Sequence, residues 1–219
     1  MAAKPFTVFD YRHDIRNVMV SPEIRGRFLR MEPGEIGPFH SHDTGHEIFL
    51  VLEGVAEFEI EGHTALVGPG QLCIAWANEK HGVRTHGNSA MTLFLAVTPH
   101  LDPTHTFWSE SGERLPPRYG SWIAAGLADQ AAPTAALTDL ASRVEAATHD
   151  LSTSLASLTD NQQQSFARLT RAESTGDTAA LKPAIDAVWP SLLATYEKIH
   201  DLEQAWNDLT LRLVTSTTD

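Results

Sequence analysis

A chain of 219 residues with 42% hydrophobic content carries enough apolar material for one ordinary domain with an appendage, or for two small ones, so size alone does not require disulfides. Its formal net charge of -12 repels phosphate backbones, and Arg25, Arg27 and Arg30 are too few to make a basic face, which sets direct nucleic-acid binding aside. A single cysteine, Cys73, cannot form an intrachain bridge and fits a reducing compartment as a small buried hydrophobe.

The N-terminal run MAAKPFTVFDYRHD lacks the apolar core of a secretion signal, and no later stretch is apolar for long enough to span a bilayer. The expectation is a soluble cytoplasmic protein with no membrane partner. From about residue 18 to about residue 98 the chain then runs in short segments of strand-like alternation, each stopped by glycine or proline, as in an antiparallel all-β domain. IRGRFLRM precedes Glu32-Pro33-Gly34, and EIFLVLE precedes Gly54. VAEFEI and HTALV flank Glu61-Gly62 as a hairpin with a tight turn, Gly68-Pro69-Gly70 turns the chain again, and SAMTLFLAV supplies a last long strand.

The next segment, PHLDPTHTFWSESGERLPPRYGSW, holds four prolines and no sustained period. It reads as an extended piece lying on the barrel, with Phe107, Trp108, Tyr119 and Trp122 as anchors. After about residue 131 the apolar period lengthens to about three and a half, and the chain becomes helical. One stripe runs through Leu137, Ala141, Val144, Leu151, Leu155 and Leu158 and on to Phe166 and Leu169; Gly176-Asp177 marks a turn. A second runs through Leu192, Tyr196, Ile199, Leu202, Trp206, Leu209 and Leu213, with Pro183 near its start and a kink or restart at Pro190. The division expected is a β-barrel with its flanking segment over 1–122, a linker over 123–132 and a helical hairpin over 133–219. The stripes carry more large apolar surface than two helices hide, so the hairpin is expected to pair with that of a second chain in a homodimer.

The candidate chemistry lies in GEIGPFHSHDTGHEIFLVLEG, residues 34–54. Alternate side chains of a strand share a face, so His40 and His42 can point to one side, and Glu47 on the returning strand can join them together with Phe49 and Val51. Two imidazoles and a carboxylate suit a divalent transition metal at about 2.0 to 2.2 Å. His81, after a further turn and the strand QLCIAW, is the candidate fourth ligand. His46 should face the other way and His63 should be solvated; for His100 and His105, both expected near the barrel mouth, a structural role is the reading taken.

These residues resemble the cupin superfamily. Its first motif, a glycine, five residues, His-x-His, three or four residues, a glutamate, six residues and a glycine, is met by Gly34, His40, His42, Glu47 and Gly54. The second is matched by Gly62, Pro69, Gly70 and His81, while Thr85 stands where the motif has an asparagine. The resemblance spans roughly residues 24–97 and is silent on the helices. It implies a mainly β fold with an α extension: an antiparallel jelly-roll barrel followed by the helical hairpin. It also implies one divalent metal, iron, manganese, nickel or zinc, held by His40, His42, Glu47 and His81.

Four protein ligands leave up to two positions on a six-coordinate ion for water, dioxygen or substrate oxygens, and Glu47 can remain a ligand or act as a catalytic base. With Phe49 and Val51 as pocket residues and no cluster of lysine or arginine expected on the inner strands, the pocket reads as apolar rather than suited to a strongly anionic substrate. The function expected is a dioxygenase-like oxidoreductase acting on a small oxygenated organic molecule. The alternative is a non-catalytic metal- and small-ligand-binding module with a helical dimerisation arm.

Overall fold

The glycine- and proline-punctuated half folds into ten strands: β1 (Asn17–Val20), β2 (Arg25–Met31), β3 (His40–Ser41), β4 (His46–Glu53), β5 (Ala56–Ile60), β6 (His63–Val67), β7 (Leu72–Ala75), β8 (His81–Thr85), β9 (Met91–Thr98) and β10 (Thr106–Phe107). The structure is a computed structural model that describes residues 6–126 and 132–217. The strands form two five-stranded sheets, β1-β2-β9-β4-β7 and β10-β3-β8-β5-β6, with every pairing antiparallel.

The turns do what their residues allow. Glu61 and Gly62, with φ of 47° and 74°, make the two-residue hairpin between β5 and β6, in which Ile60 pairs with His63. Positive φ at both central positions matches the right-handed twist of the flanking strands. Gly54, at φ 68°, lies where an added Cβ would meet the Ala90 carbonyl oxygen and stand 2.7 Å from Met91 Cα, so the chain passes here only without a side chain.

Inside this unit Met31, Phe49, Val51, Ala56, Phe58, Val67, Ala75, Met91, Leu93 and Leu95 form one buried apolar cluster. Strand alternation produces it: β4 alternates buried and half-buried positions along HEIFLVLE, with Glu47, Phe49 and Val51 on the buried face. The segment after β9, expected to be irregular, returns a short strand to the barrel. In β10, Thr106 pairs with Ser41 and Phe107 with His40. Of the expected linker 123–132, Ile123–Ala125 is a 3-10 turn, and residues 127–131 lie outside the described residues.

By contacts the chain divides into two units, Met1–Ala132 with Val214–Asp219, and Pro133–Leu213. The helical extension contains α1 (Leu137–Thr175), α2 (Thr178–Asp186) and α3 (Trp189–Ser216), with α1 as one arm of the expected hairpin and the other arm interrupted between α2 and α3, next to Pro190. Gly176 ends α1 in the left-handed region, with the Asp177 N–H donating to the Ala172 carbonyl, and the Asp177 side chain caps α2 by accepting from the Ala180 N–H. The helix restarts at Trp189, which puts Pro190 in a first turn that lacks intrahelical N–H partners anyway. Ser154 meets Thr195 at 2.9 Å and the Arg212 Nε donates to the Ala135 carbonyl, so α1 and α3 run antiparallel. The expected α1 stripe is split: Leu158 is buried with Leu140, Ser165 and Ala172, whereas Leu155 and Phe166 remain 47% and 44% exposed.

Candidate metal centre

His40, His42, Glu47 and His81 converge between the two sheets. His40 and His81 face each other as the β3–β8 pair, with His42 just beyond β3, while Glu47 comes from β4 of the opposite sheet, paired with Val97 and Ala75. Their donor atoms all lie within 4.8 Å of one another. The Glu47 Oε2 is 2.8 Å from His42 Nε2, 2.9 Å from His81 Nε2 and 3.5 Å from His40 Nε2. His42, Glu47 and His81 are each 2% exposed.

The far nitrogen of each ring is already engaged. His40 Nδ1 lies 2.8 Å from the Pro38 carbonyl, His81 Nδ1 lies 2.8 Å from the Glu79 carbonyl, and His42 Nδ1 contacts the Thr104 carbonyl. A carbonyl oxygen only accepts, so each Nδ1 must carry the proton, and in the neutral ring Nε2 then presents a lone pair. Three such lone pairs facing an ionised carboxylate repel unless a cation sits among them. A divalent ion meets that need, and backbone carbonyls that fix the tautomer are the usual support of metal-binding imidazoles. The donor set therefore fits a divalent transition metal.

Burial by itself raises the Glu47 carboxyl, but His42, His40 and His81 outweigh it and hold Glu47 well below the ordinary carboxylate range. Burial pulls His81 down, yet its contacts with Glu47 and the Glu79 carbonyl leave it raised, whereas burial prevails at His40, which is lowered.

The centre opens on a cavity of about 390 Å³. Phe49, Leu29, Leu95, Val83 and Phe107 supply apolar wall, and Arg25, Arg27, Arg118 and His105 supply polar groups. Of the two expected pocket residues, Phe49 lines this cavity, whereas Val51, 0% exposed, belongs to the apolar cluster and is not part of the lining.

The expectation of an inner wall without basic residues is overturned. On β2, Arg25 and Arg27 share a face with Leu29 and Met31 and line the cavity. The alternation of IRGRFLRM contained that signal, since Leu29 and Met31 fix the parity of Arg25 and Arg27. Burial lowers Arg25 to about 10 and also lowers Arg27, with Glu47 opposing in both cases.

His105 was also undervalued. Its ring centroid lies 4.7 Å from that of His40 and 5.1 Å from that of His42, and its Nδ1 is 2.6 Å from the Ser121 hydroxyl. It arrives through the β10–β3 pairing, which no local pattern announces. His100 packs edge-on against Trp122 with centroids 5.2 Å apart. His46 accepts from the Ala77 N–H and lies against Trp76, outside the cluster, and His63 is exposed.

Two antiparallel sheets enclose a three-histidine, one-carboxylate cluster that could hold a metal ion, and together they make a jelly-roll barrel. The family model described as "Cupin domain" matches residues 27–98, and that segment of the chain is of cupin type. Among curated proteins it is similar to the dimethylsulfoniopropionate lyase DddQ of Ruegeria pomeroyi, at 34% identity over 76 residues, 34% of this chain and 37% of that protein. It is also similar to an oxalate-binding protein of Thermotoga maritima, at 29% identity over 69 residues, 32% of this chain and 56% of that protein. The chain thus spans between about a third and somewhat over half of the length of these relatives. A solved structure of the Ruegeria lyase aligns at a TM-score of 0.38 and 28% identity, covering 42% of this chain and 47% of that one. KdgF from Halomonas aligns at 0.38 and 23%, covering 40% and 79%.

Proposed function

We propose that this protein is a metal-dependent cupin enzyme of dioxygenase-like type that acts on a small oxygenated organic molecule. The carrying observation is the convergence of three tautomer-fixed Nε2 atoms and the Glu47 carboxylate at a cavity large enough for such a molecule. An iron, manganese, nickel or zinc ion held there supplies Lewis-acid chemistry, and the first three also supply redox chemistry.

The remaining work falls to the chain. Glu47 can receive a proton from substrate when it is not ligating. Phe49, Leu29 and Leu95 exclude water from one side of the cavity, and His105 stands at the ligand rings where it can touch a bound molecule.

A non-catalytic ligand-binding module is the second reading, and the likeness to a protein named for oxalate binding favours it. Oxygen consumption by iron-, manganese- or nickel-loaded protein with catechol-like, flavonol and diketone compounds separates the two. Turnover abolished by His42→Ala supports the enzyme, and binding without turnover supports the module. The helical extension, with Leu155, Phe166, Leu193 and Tyr196 exposed, is read as a homodimerisation arm, and the lone cysteine fits a cytoplasmic setting. No described helix is long and apolar enough to cross a membrane.

A further inference from the structure

We infer that Arg25 and Arg27 form an anion-receiving wall, so that the molecule accepted by this cavity is a small organic acid whose carboxylate meets Arg27. The inference rests on the reading of the cavity as the substrate site and narrows the substrate to one charge class.

Three observations carry it. Arg25 is 1% exposed and Arg27 is half-buried, yet the Nε of each is buried with no hydrogen-bond partner. A guanidinium withdrawn from water is costly unless its donors are met, and its planar fork matches a carboxylate better than any neutral group. Second, both arginines line the cavity, and alternation places them on its wall beside Leu29, which leaves apolar surface for the carbon skeleton of an acid.

Third, the charge balance calls for an anion. Arg27 adds to the lowering of Arg25, and the acid facing both of them is Glu47, already committed to three histidines. Asp102 also acts on Arg25, but it does not line the cavity, and it accepts from the Gly120 N–H. Arg118 adds a further positive group, set over the Phe107 ring, and the one other acid in the lining is Glu35, on the turn after β2. A divalent ion at Glu47 would make the cavity more positive still. A bound carboxylate offsets these charges and satisfies the donor that Arg27 holds free.

The test uses the full chain, with metal content fixed beforehand by elemental analysis. Calorimetric titration compares butyrate and benzoate with their neutral isosteres butyramide and benzamide. The acids are expected to bind at least about tenfold more tightly than the amides. Arg27→Met should abolish that preference while folding and metal content stay unchanged, and Arg27→Lys should restore part of it. Equal affinity for acid and amide, no acid binding at all, or an Arg27→Met protein that keeps the preference overturns the inference. Repeating the titration after chelation separates it from the metal reading. A protein that never holds metal but still selects butyrate through Arg27 refutes the metal-dependent function and leaves the acid-binding wall standing.

Discussion

Arg25 and Glu47 occupy one cross-strand row: both pair with Val97 of β9, Arg25 from β2 and Glu47 from β4, so both side chains leave the sheet on its cavity face. Arg27 and Phe49 repeat the relationship one step along, through Leu95. The register that brings Glu47 to the histidines therefore also brings two guanidiniums, the buried Arg25 and the half-buried Arg27, to the same cavity. A one-residue slip of β2 would exchange them for Gly26 and Phe28 and leave the centre without its positive wall.

Metal retention should depend on every member of the cluster. Purified protein is expected to hold one divalent ion per chain, and His42→Ala, His81→Ala or Glu47→Gln should lose most of it, since each removes or weakens a donor around one point. Reloading after chelation should raise the melting temperature, by an amount equivalent to about 2.7 kcal/mol when free ion stands at about a hundred times its dissociation constant. A His40→Ala, His81→Ala double variant that still carries a full equivalent would show the ion to lie elsewhere.

Acid should destabilise the metal-free fold well before ordinary carboxylates titrate. Burial, with Arg25 and His42 adding to it, lowers His100 from 6.5 to about 3. Its folded form is thus neutral, whereas the unfolded chain takes up a proton below about pH 6.5. Stability contributed by His100 is complete above about pH 6.5 and is lost as pH falls towards 3, at up to about 1.4 kcal/mol per pH unit. His40 and His105, both lowered by burial, act in the same sense, and the raised His81 acts against it. Urea midpoints measured in chelator from pH 7 to pH 4 should fall for the parent protein and fall less steeply for His100→Phe. Parallel curves would remove His100 as a cause.

Two packing variants separate core from edge. Phe58 is 2% exposed within the apolar cluster, so Phe58→Ala should cost about 3–5 kcal/mol; Leu66, 52% exposed on β6, should tolerate alanine within about 0.5 kcal/mol. Gly54→Ala combines a strained φ with contact against the Ala90–Met91 backbone and should cost at least about 1–3 kcal/mol. Denaturant unfolding of the three variants ranks them, and a neutral Gly54→Ala would contradict the backbone geometry at that turn.

The spacing around His40, His42 and Glu47 was legible because it is local. Gly34 and Gly54, which bracket that stretch, both take positive φ, and alternation within β4 alone settles which way Glu47 points. Position 81 was legible because one turn and one strand return the chain to the rim. Arg25 and Arg27 escape a reading that takes inward parity from β4 alone, although Leu29 and Met31 carry the same parity on β2. His105 was hidden for a different reason: β10 is two residues long and exists only through its pairing with β3. In the helices, periodicity located the elements but not the buried edge. Leu137, Leu155 and Phe166 fall on nearly the same bearing around α1, while Leu140, Leu158, Ser165 and Ala172 lie to one side of it and are the residues hidden.

That displaced edge leads to the last prediction. Leu155 and Phe166 on α1, and Leu193 and Tyr196 on α3, stay between 44% and 54% exposed, although each lies on or beside a sequence stripe that would ordinarily be covered. Single exposed apolar side chains need no explanation, but several on one antiparallel helix pair are what a helix-mediated dimer would cover. Light scattering of the full chain should therefore give a dimer, and the paired substitution Phe166→Glu with Tyr196→Glu should shift it towards monomer while leaving metal content unchanged. Charge placed in an apolar seam must be desolvated on both chains at once, which opposes association. Cupin barrels can also associate through their sheets, so a dimer by itself is not decisive. The discriminating result is the variant: a charged helix face with an unaltered dimer mass would move the interface off the helices.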